Sequence, residues 1–159
     1  MTSDLFAEDH PLAGSTTRLG SQSVVLRGFA LALMDELWPQ LQQVVAQAPF
    51  RHMVTPGGQT MSVPLTNCGP LGWTSSRAGY RYRGDDPDTG LPWPAMPAVF
   101  MRLASEAAAE AGFAGFAPDA CLINRYRPGS RLTLHQDKNE RDFAQPIVSV
   151  SLGVSAEFL

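Results

Sequence analysis

Two helix-like stretches set among short, alternating apolar segments constrain this chain more than any other feature. Residues 30–48 place Leu37, Leu41, Val44, Val45 and Ala48 at helical spacing, with Pro39 as a candidate start and Pro49 as a stop. A second helix is expected from about Pro97 to Ala111. It carries Val99, Phe100, Leu103 and Ala107 on one face, and Gly112 falls where a left-handed cap belongs. Between the helices, Pro56-Gly57-Gly58, Gly69-Pro70, Gly72, Gly79, Gly84, Pro87 and Gly90 break residues 51–93 into pieces. That punctuation predicts hairpins and loops, with Gln59 to Val63 and Tyr80 to Tyr82 as short extended segments. Ser23–Leu26, Cys121–Tyr126, Arg131–His135 and Ile147–Leu152 read as strands. Helices combined with antiparallel-type strands predict an α+β fold whose strands curl into a barrel or jelly roll.

A length of 159 residues suits one domain with a real core. Residues 1–20 are polar, with Gly14, Ser15, Thr16, Thr17 and Gly20, and read as a flexible leader to a domain over 21–159. No apolar run approaches the roughly 20 residues that span a membrane. The acidic start MTSDLFAEDH does not resemble a signal peptide, so a cytoplasmic location is expected. Cys68 and Cys121 are too few for a disulfide framework and are expected as reduced thiols. The net charge of −3 gives no global attraction to nucleic acid. Its distribution says more. Arg77, Arg81 and Arg83 surround two tyrosines, and Arg125, Arg127, Arg131 and Lys138 surround a histidine and an aspartate. Such a rim fits either a solvated surface or phosphate contacts.

The histidine and aspartate are His135 and Asp137. Two residues apart on an extended segment, they point the same way. They supply two arms of a 2-His-1-carboxylate iron site. Alone, the tripeptide is weak evidence and far more often an ordinary turn. Its neighbours strengthen the metal reading. Asn124 and Tyr126 share one strand face, and only the turn at Pro128-Gly129 separates them from His135. A hairpin there would set two metal ligands beside two hydrogen-bond donors, a seat for a small chelating acid.

The spacing Asn124-Arg125-Tyr126-Arg127-Pro128-Gly129, then five residues and His135-Gln136-Asp137, resembles the AlkB family. So do Pro49-Phe50-Arg51, Met53 to Gly58, Thr60 to Val63, Thr66 to Gly69, Leu71 to Thr74, Pro92 to Pro97, Pro118 to Tyr126 and Ile147 to Gly153. The likeness runs from about residue 24 onward. It implies an iron(II)- and 2-oxoglutarate-dependent dioxygenase that removes methyl groups from damaged bases such as 1-methyladenine and 3-methylcytosine, in DNA or RNA. Formaldehyde, succinate and CO₂ are the implied products. The implied fold is a double-stranded β-helix with N-terminal helices and a substrate lid of hairpins and loops, acting as a monomer without membrane contact.

The resemblance also implies roles. His135 and Asp137 match iron ligands, and Asn124 and Tyr126, with Arg125 between them, match the 2-oxoglutarate seat. Trp73 matches the residue that stacks on a flipped base. Tyr80, Arg81 and Tyr82 match a loop that meets the substrate backbone, with Thr55 and Lys138 as further contacts. Asn139 stands where bacterial relatives usually carry an aspartate that meets the methylated base. The family's second iron histidine and its 2-oxoglutarate arginines belong to strands expected beyond Leu159, so the chain reads as C-terminally truncated. His10 and His52 lie far upstream, and His52 does not match a ligand position. These 159 residues alone are therefore expected to bind iron poorly and turn over slowly or not at all. The alternatives are a catalytically inactive nucleic-acid-binding remnant, or a structural or pseudogene product without a stable fold.

Overall fold

The computed structural model describes residues 14–154, except 134, 136, 138 and 139. Strands β1 (Thr16–Arg18) and β2 (Val24–Leu26) pair antiparallel. Part of the stretch expected as a leader is thus ordered as a strand. A single 3₁₀ turn, Leu31–Leu33, then feeds helix α1 (Met34–Gln47). Pro39 lies inside α1, not at its start. The preceding 3₁₀ turn has already set helical geometry, and Asp35 and Glu36 in the first turn favour that end of the helix dipole. Helix α2 (Ala98–Glu110) ends as its sequence requires. Gly112 has φ 96°, its N–H donates to Ala109 O at 3.0 Å, and Phe113 N–H reaches Ala108 O at 2.8 Å. These are the two bonds of a Schellman cap.

The helices bury their predicted faces. Leu37 from α1 and Val99 and Leu103 from α2 form a core cluster, flanked by Phe29, Ala30, Leu33, Phe100 and Leu152. Full burial of such aliphatic side chains contributes about 1.5–3 kcal/mol each. The Arg102–Glu36 ion pair across the helices, at 2.6 Å, is half exposed and contributes little.

The extended segments form three separate two-stranded ladders. Besides β1–β2, β3 (Leu65–Cys68) pairs antiparallel with β6 (Cys121–Asn124). Strands β4 (Gly72–Ser76) and β5 (Gly79–Arg83) form a hairpin. Every residue of β3 is buried. The α+β expectation holds, but several strand expectations do not. Gln59–Val63 makes only the isolated bridge of Thr60 to Val54. The described residues of 131–135 and 147–152 are irregular. Alternation makes a segment suited to a strand, but a strand exists only where its backbone groups meet a partner. Among the described residues neither segment has a strand partner, and Leu132, Ile147 and Val150 are exposed. The hairpin expected around Pro128-Gly129 is reduced to its turn, closed by Ser130 N–H donating to Arg127 O at 2.8 Å, with Gly129 at φ 84°.

Candidate functional site

The β4–β5 hairpin carries an aromatic face. Trp73 lies opposite Tyr82 in the ladder, and Ser75 lies opposite Tyr80. Side chains alternate along a strand, so Trp73, Tyr80 and Tyr82 share one side. Trp73 and Tyr80 stack, with ring centroids 5.4 Å apart and planes 18° from parallel. Tyr80 is exposed, and Trp73 is partly covered. Arg81 points to the other side. It is exposed, and its guanidinium donates to Ala78 O at 3.3 Å.

Asn67 on β3 fixes Trp73 through both ends of its amide. The nitrogen donates to Trp73 O at 2.9 Å, and Oδ1 accepts from Trp73 N–H at 3.0 Å. Asn67 has no exposed surface. Behind the hairpin, Trp93 Nε1–H donates to Arg83 O at 3.1 Å, and Gly72 leaves room for that indole. Arg51 lies over the Trp93 ring, 5.3 Å from its centroid, and pairs with Asp86 at 2.6 Å and Asp88 at 3.0 Å. Burial pushes the Asp86 carboxyl up, but the bonds from Arg51 and from the Asp88 and Thr89 backbone outweigh it and hold the group below its ordinary value. The loop after β5 is thereby clamped to the segment before β3.

His135 and Asp137 sit in irregular chain, yet their side chains converge. His135 Nε2 and Asp137 Oδ1 are 3.5 Å apart, each side chain 52% exposed. His135 Nδ1 is 2.8 Å from Thr133 O. A carbonyl only accepts, so Nδ1 carries a proton and Nε2 is the ring nitrogen that faces Asp137. Nε2 and Oδ1 are both atoms that can ligate a divalent cation. A backbone carbonyl holding the far nitrogen is the usual support of a metal-binding histidine. The pair therefore fits two positions of a metal centre. Among the described residues, no group of three or more His, Cys, Asp or Glu side chains gathers to hold a metal. His52 is engaged elsewhere, with Nδ1 2.7 Å from Met61 O.

One contact joins the aromatic face to this segment. Tyr82 O–H donates to Glu140 Oε1 at 2.7 Å, three residues beyond Asp137. Burial raises the Tyr82 phenol above its ordinary value, helped by the bond to Glu140 and by the charges of Glu140, Asp137 and Asp119. The sequence offered no signal for Glu140, because a carboxylate within a charged run is usually solvated. Nor did it single out Asn67. Replacing Tyr82→Phe is expected to cost about 1 kcal/mol near neutral pH. A raised phenol stabilises the fold below the unfolded value near 10, and that gain is lost as pH rises through the folded value. The wild-type advantage in urea melts should therefore shrink only in strong alkali.

The remaining expected residues divide between the site and its frame. Asn124 ends β6 opposite Leu65 and is partly buried, while Tyr126 is exposed two residues on. Arg125 packs its guanidinium over Phe50, 4.6 Å from the ring centroid, and its N–H donates to Pro64 O. Thr55 spends its hydroxyl on a local turn, accepting from Gln59 N–H at 3.1 Å. Lys138 and Asn139 lie outside the described residues.

The sequence profile of the 2OG-Fe(II) oxygenase superfamily matches residues 23–159. The Alpha-ketoglutarate-dependent dioxygenase AlkB of Escherichia coli is 54% identical over 155 residues, covering 98% of this chain and 70% of that protein. The AlkB homolog of Caulobacter vibrioides is 41% identical over 136 residues, 77% of this chain and 60% of its own length. The Nucleic acid dioxygenase ALKBH1 of Mus musculus is 38% identical over 82 residues, 51% of this chain and 21% of its own length. With the superfamily profile spanning most of its length and more than half its residues shared with a bacterial relative, the chain belongs to the AlkB family of 2-oxoglutarate-dependent dioxygenases within the 2OG-Fe(II) oxygenase superfamily.

Proposed function

We propose that this protein oxidatively demethylates N-alkylated bases, of the 1-methyladenine and 3-methylcytosine type, in DNA or RNA. Iron, 2-oxoglutarate and O₂ serve the reaction, which releases formaldehyde, succinate and CO₂. The observation that carries this reading is the Tyr82–Glu140 bond, which sets the Trp73–Tyr80–Tyr82 face beside the segment holding His135 and Asp137.

A base stacked in a duplex is out of reach and must be flipped into the site. Trp73 receives it by stacking, which contributes about 1–3 kcal/mol per base. Tyr80, Arg81, Thr55 and Lys138 meet the backbone of the strand. His135 Nε2 and a carboxylate oxygen of Asp137 hold the metal, which when bound supplies the oxidising power. Asn124 and Tyr126 donate hydrogen bonds to the 2-oxoglutarate carboxylates, and Arg125 steadies that strand through Phe50. The protein works in the cytoplasm as a monomer. The double-stranded β-helix and its lid of hairpins and loops belong to the same reading.

The test is turnover. The protein is incubated with Fe(II), 2-oxoglutarate and a single-stranded oligonucleotide carrying 1-methyladenine. Demethylation shows as succinate and formaldehyde released in equal amounts. Tight oligonucleotide binding without succinate would favour the nucleic-acid-binding remnant instead. Asn139 adds a specificity prediction. Methylated adenine and cytosine rings carry positive charge, and an amide meets them less well than a carboxylate, by about 1 kcal/mol or more. Asn139→Asp should therefore raise kcat/KM on both lesions about fivefold or more; no gain would exclude that role for the position.

A further inference from the structure

We propose that Cys68 and Cys121 form a reversible, peroxide-sensitive dithiol pair across the β3–β6 ladder. The two residues are direct partners in the antiparallel register. Arg125 N–H donates to Pro64 O just beyond the other end of the ladder. Hydrogen-bonded pairs alternate from there, which makes Cys68 and Cys121 such a pair, with Cα atoms about 5.5 Å apart. That spacing falls inside the range of about 4.4–6.8 Å that a disulfide bridges. Partners in a ladder also project to the same face, so the two sulfurs meet.

The thiols differ in a way that assigns roles. Cys68 has no exposed surface, whereas Cys121 is partly open to solvent. The adjoining Cys121 sulfur raises the Cys68 thiol, with burial adding to the rise. The same pairing lowers the Cys121 thiol against its own burial. Cys121 is therefore the attacking thiolate and Cys68 the resolving thiol. The Cys121 thiolate attacks one oxygen of hydrogen peroxide, forming a sulfenic acid and releasing hydroxide. The Cys68 sulfur then attacks that sulfenic sulfur, the S–S bond forms, and the oxygen leaves as water with the Cys68 proton. One peroxide is reduced to two waters, and two thiols are oxidised to one disulfide. A hydrogen-bonded pair holds its Cβ atoms farther apart than the other pair type, so the bridge is readily reopened by thiol exchange.

The position gives the bond a lever. Asn67, beside Cys68, holds the Trp73 backbone, and Asn124 ends the strand that Cys121 begins. A disulfide would tie the two strands that carry these residues.

The full chain is reduced, treated with a small excess of hydrogen peroxide, denatured, alkylated and digested without reductant. We expect one peptide pair joined through Cys68 and Cys121, lighter than the two thiol peptides by two hydrogens and released by dithiothreitol. Alkylatable thiols should fall from two to none. In Cys68→Ser, dimedone should label Cys121, while Cys121→Ser should leave Cys68 unlabelled. Thiols that remain fully alkylatable, cross-links only between chains, or Cys121 oxidised beyond sulfenic acid without a link would each overturn the proposal.

Discussion

Replacing His135→Ala is expected to weaken Fe(II) binding by more than about 100-fold, because even the outer partners of a metal ligand cost 10–100-fold when removed. The melting temperature should barely move. Among the described residues, the half-exposed His135 side chain meets Thr133 O at 2.8 Å and Asp137 Oδ1 at 3.5 Å, both within its own loop. Substitutions at such positions stay within about 0.5 kcal/mol. A metal titration beside a thermal melt checks both halves. Unchanged metal affinity would remove His135 from the ligand set, and a large fall in melting temperature would make its role structural. His135→Gln should behave as alanine does, because the amide oxygen is a poor substitute for an imidazole nitrogen at a transition-metal site.

Asn67→Ala should act in the opposite sense, costing stability first. Alanine leaves Trp73 N–H and Trp73 O facing a buried space with no partner, where the wild-type amide meets them at 3.0 and 2.9 Å. Each orphaned group costs about 1–3 kcal/mol, so the total is about 3 kcal/mol. For a chain of this size that lowers the melting temperature by roughly 10 °C. Asn67→Asp separates the two bonds. Its carboxylate still accepts from Trp73 N–H but repels Trp73 O, and it places an unpaired charge in a dry site. It should therefore be no more stable than the alanine variant. Thermal melts of the three proteins decide this, and a loss below about 1 kcal/mol would show that solvent reaches Trp73 without Asn67.

The helices were legible because their signals are local. Apolar spacing, Pro49 and Gly112 act within a few residues, and the Schellman bonds at Phe113 follow from them. The ladders were less legible because pairing is not local. Cys121–Asn124 alternates visibly, but nothing in it names Leu65–Cys68 as partner. The alternation of Ile147–Leu152 is as good and yields no strand; Leu152 instead reaches the helix core. The same contrast runs through the site. His135 and Asp137 were visible from their spacing and converge off any strand. Asn67, Glu140 and the Arg51–Asp86 clamp were hidden, because each acts on a residue distant in the chain.

The joins between the ladders have a consequence for local opening. No backbone ladder links β4 to β3; the amide of Asn67 stitches them, and Ser75 Oγ–H to Val54 O at 2.7 Å ties β4 to the segment before β3. These side-chain bonds and the single bridge of Leu71 to Ala120 release more cheaply than a ladder, so the two sheets form separate cooperative units. In native-state hydrogen exchange the amides of Gly72–Arg83 should exchange together, ahead of those in Leu65–Cys68 and Cys121–Asn124. The aromatic face can then loosen around an incoming strand while the ladder that ends at Asn124 keeps its register.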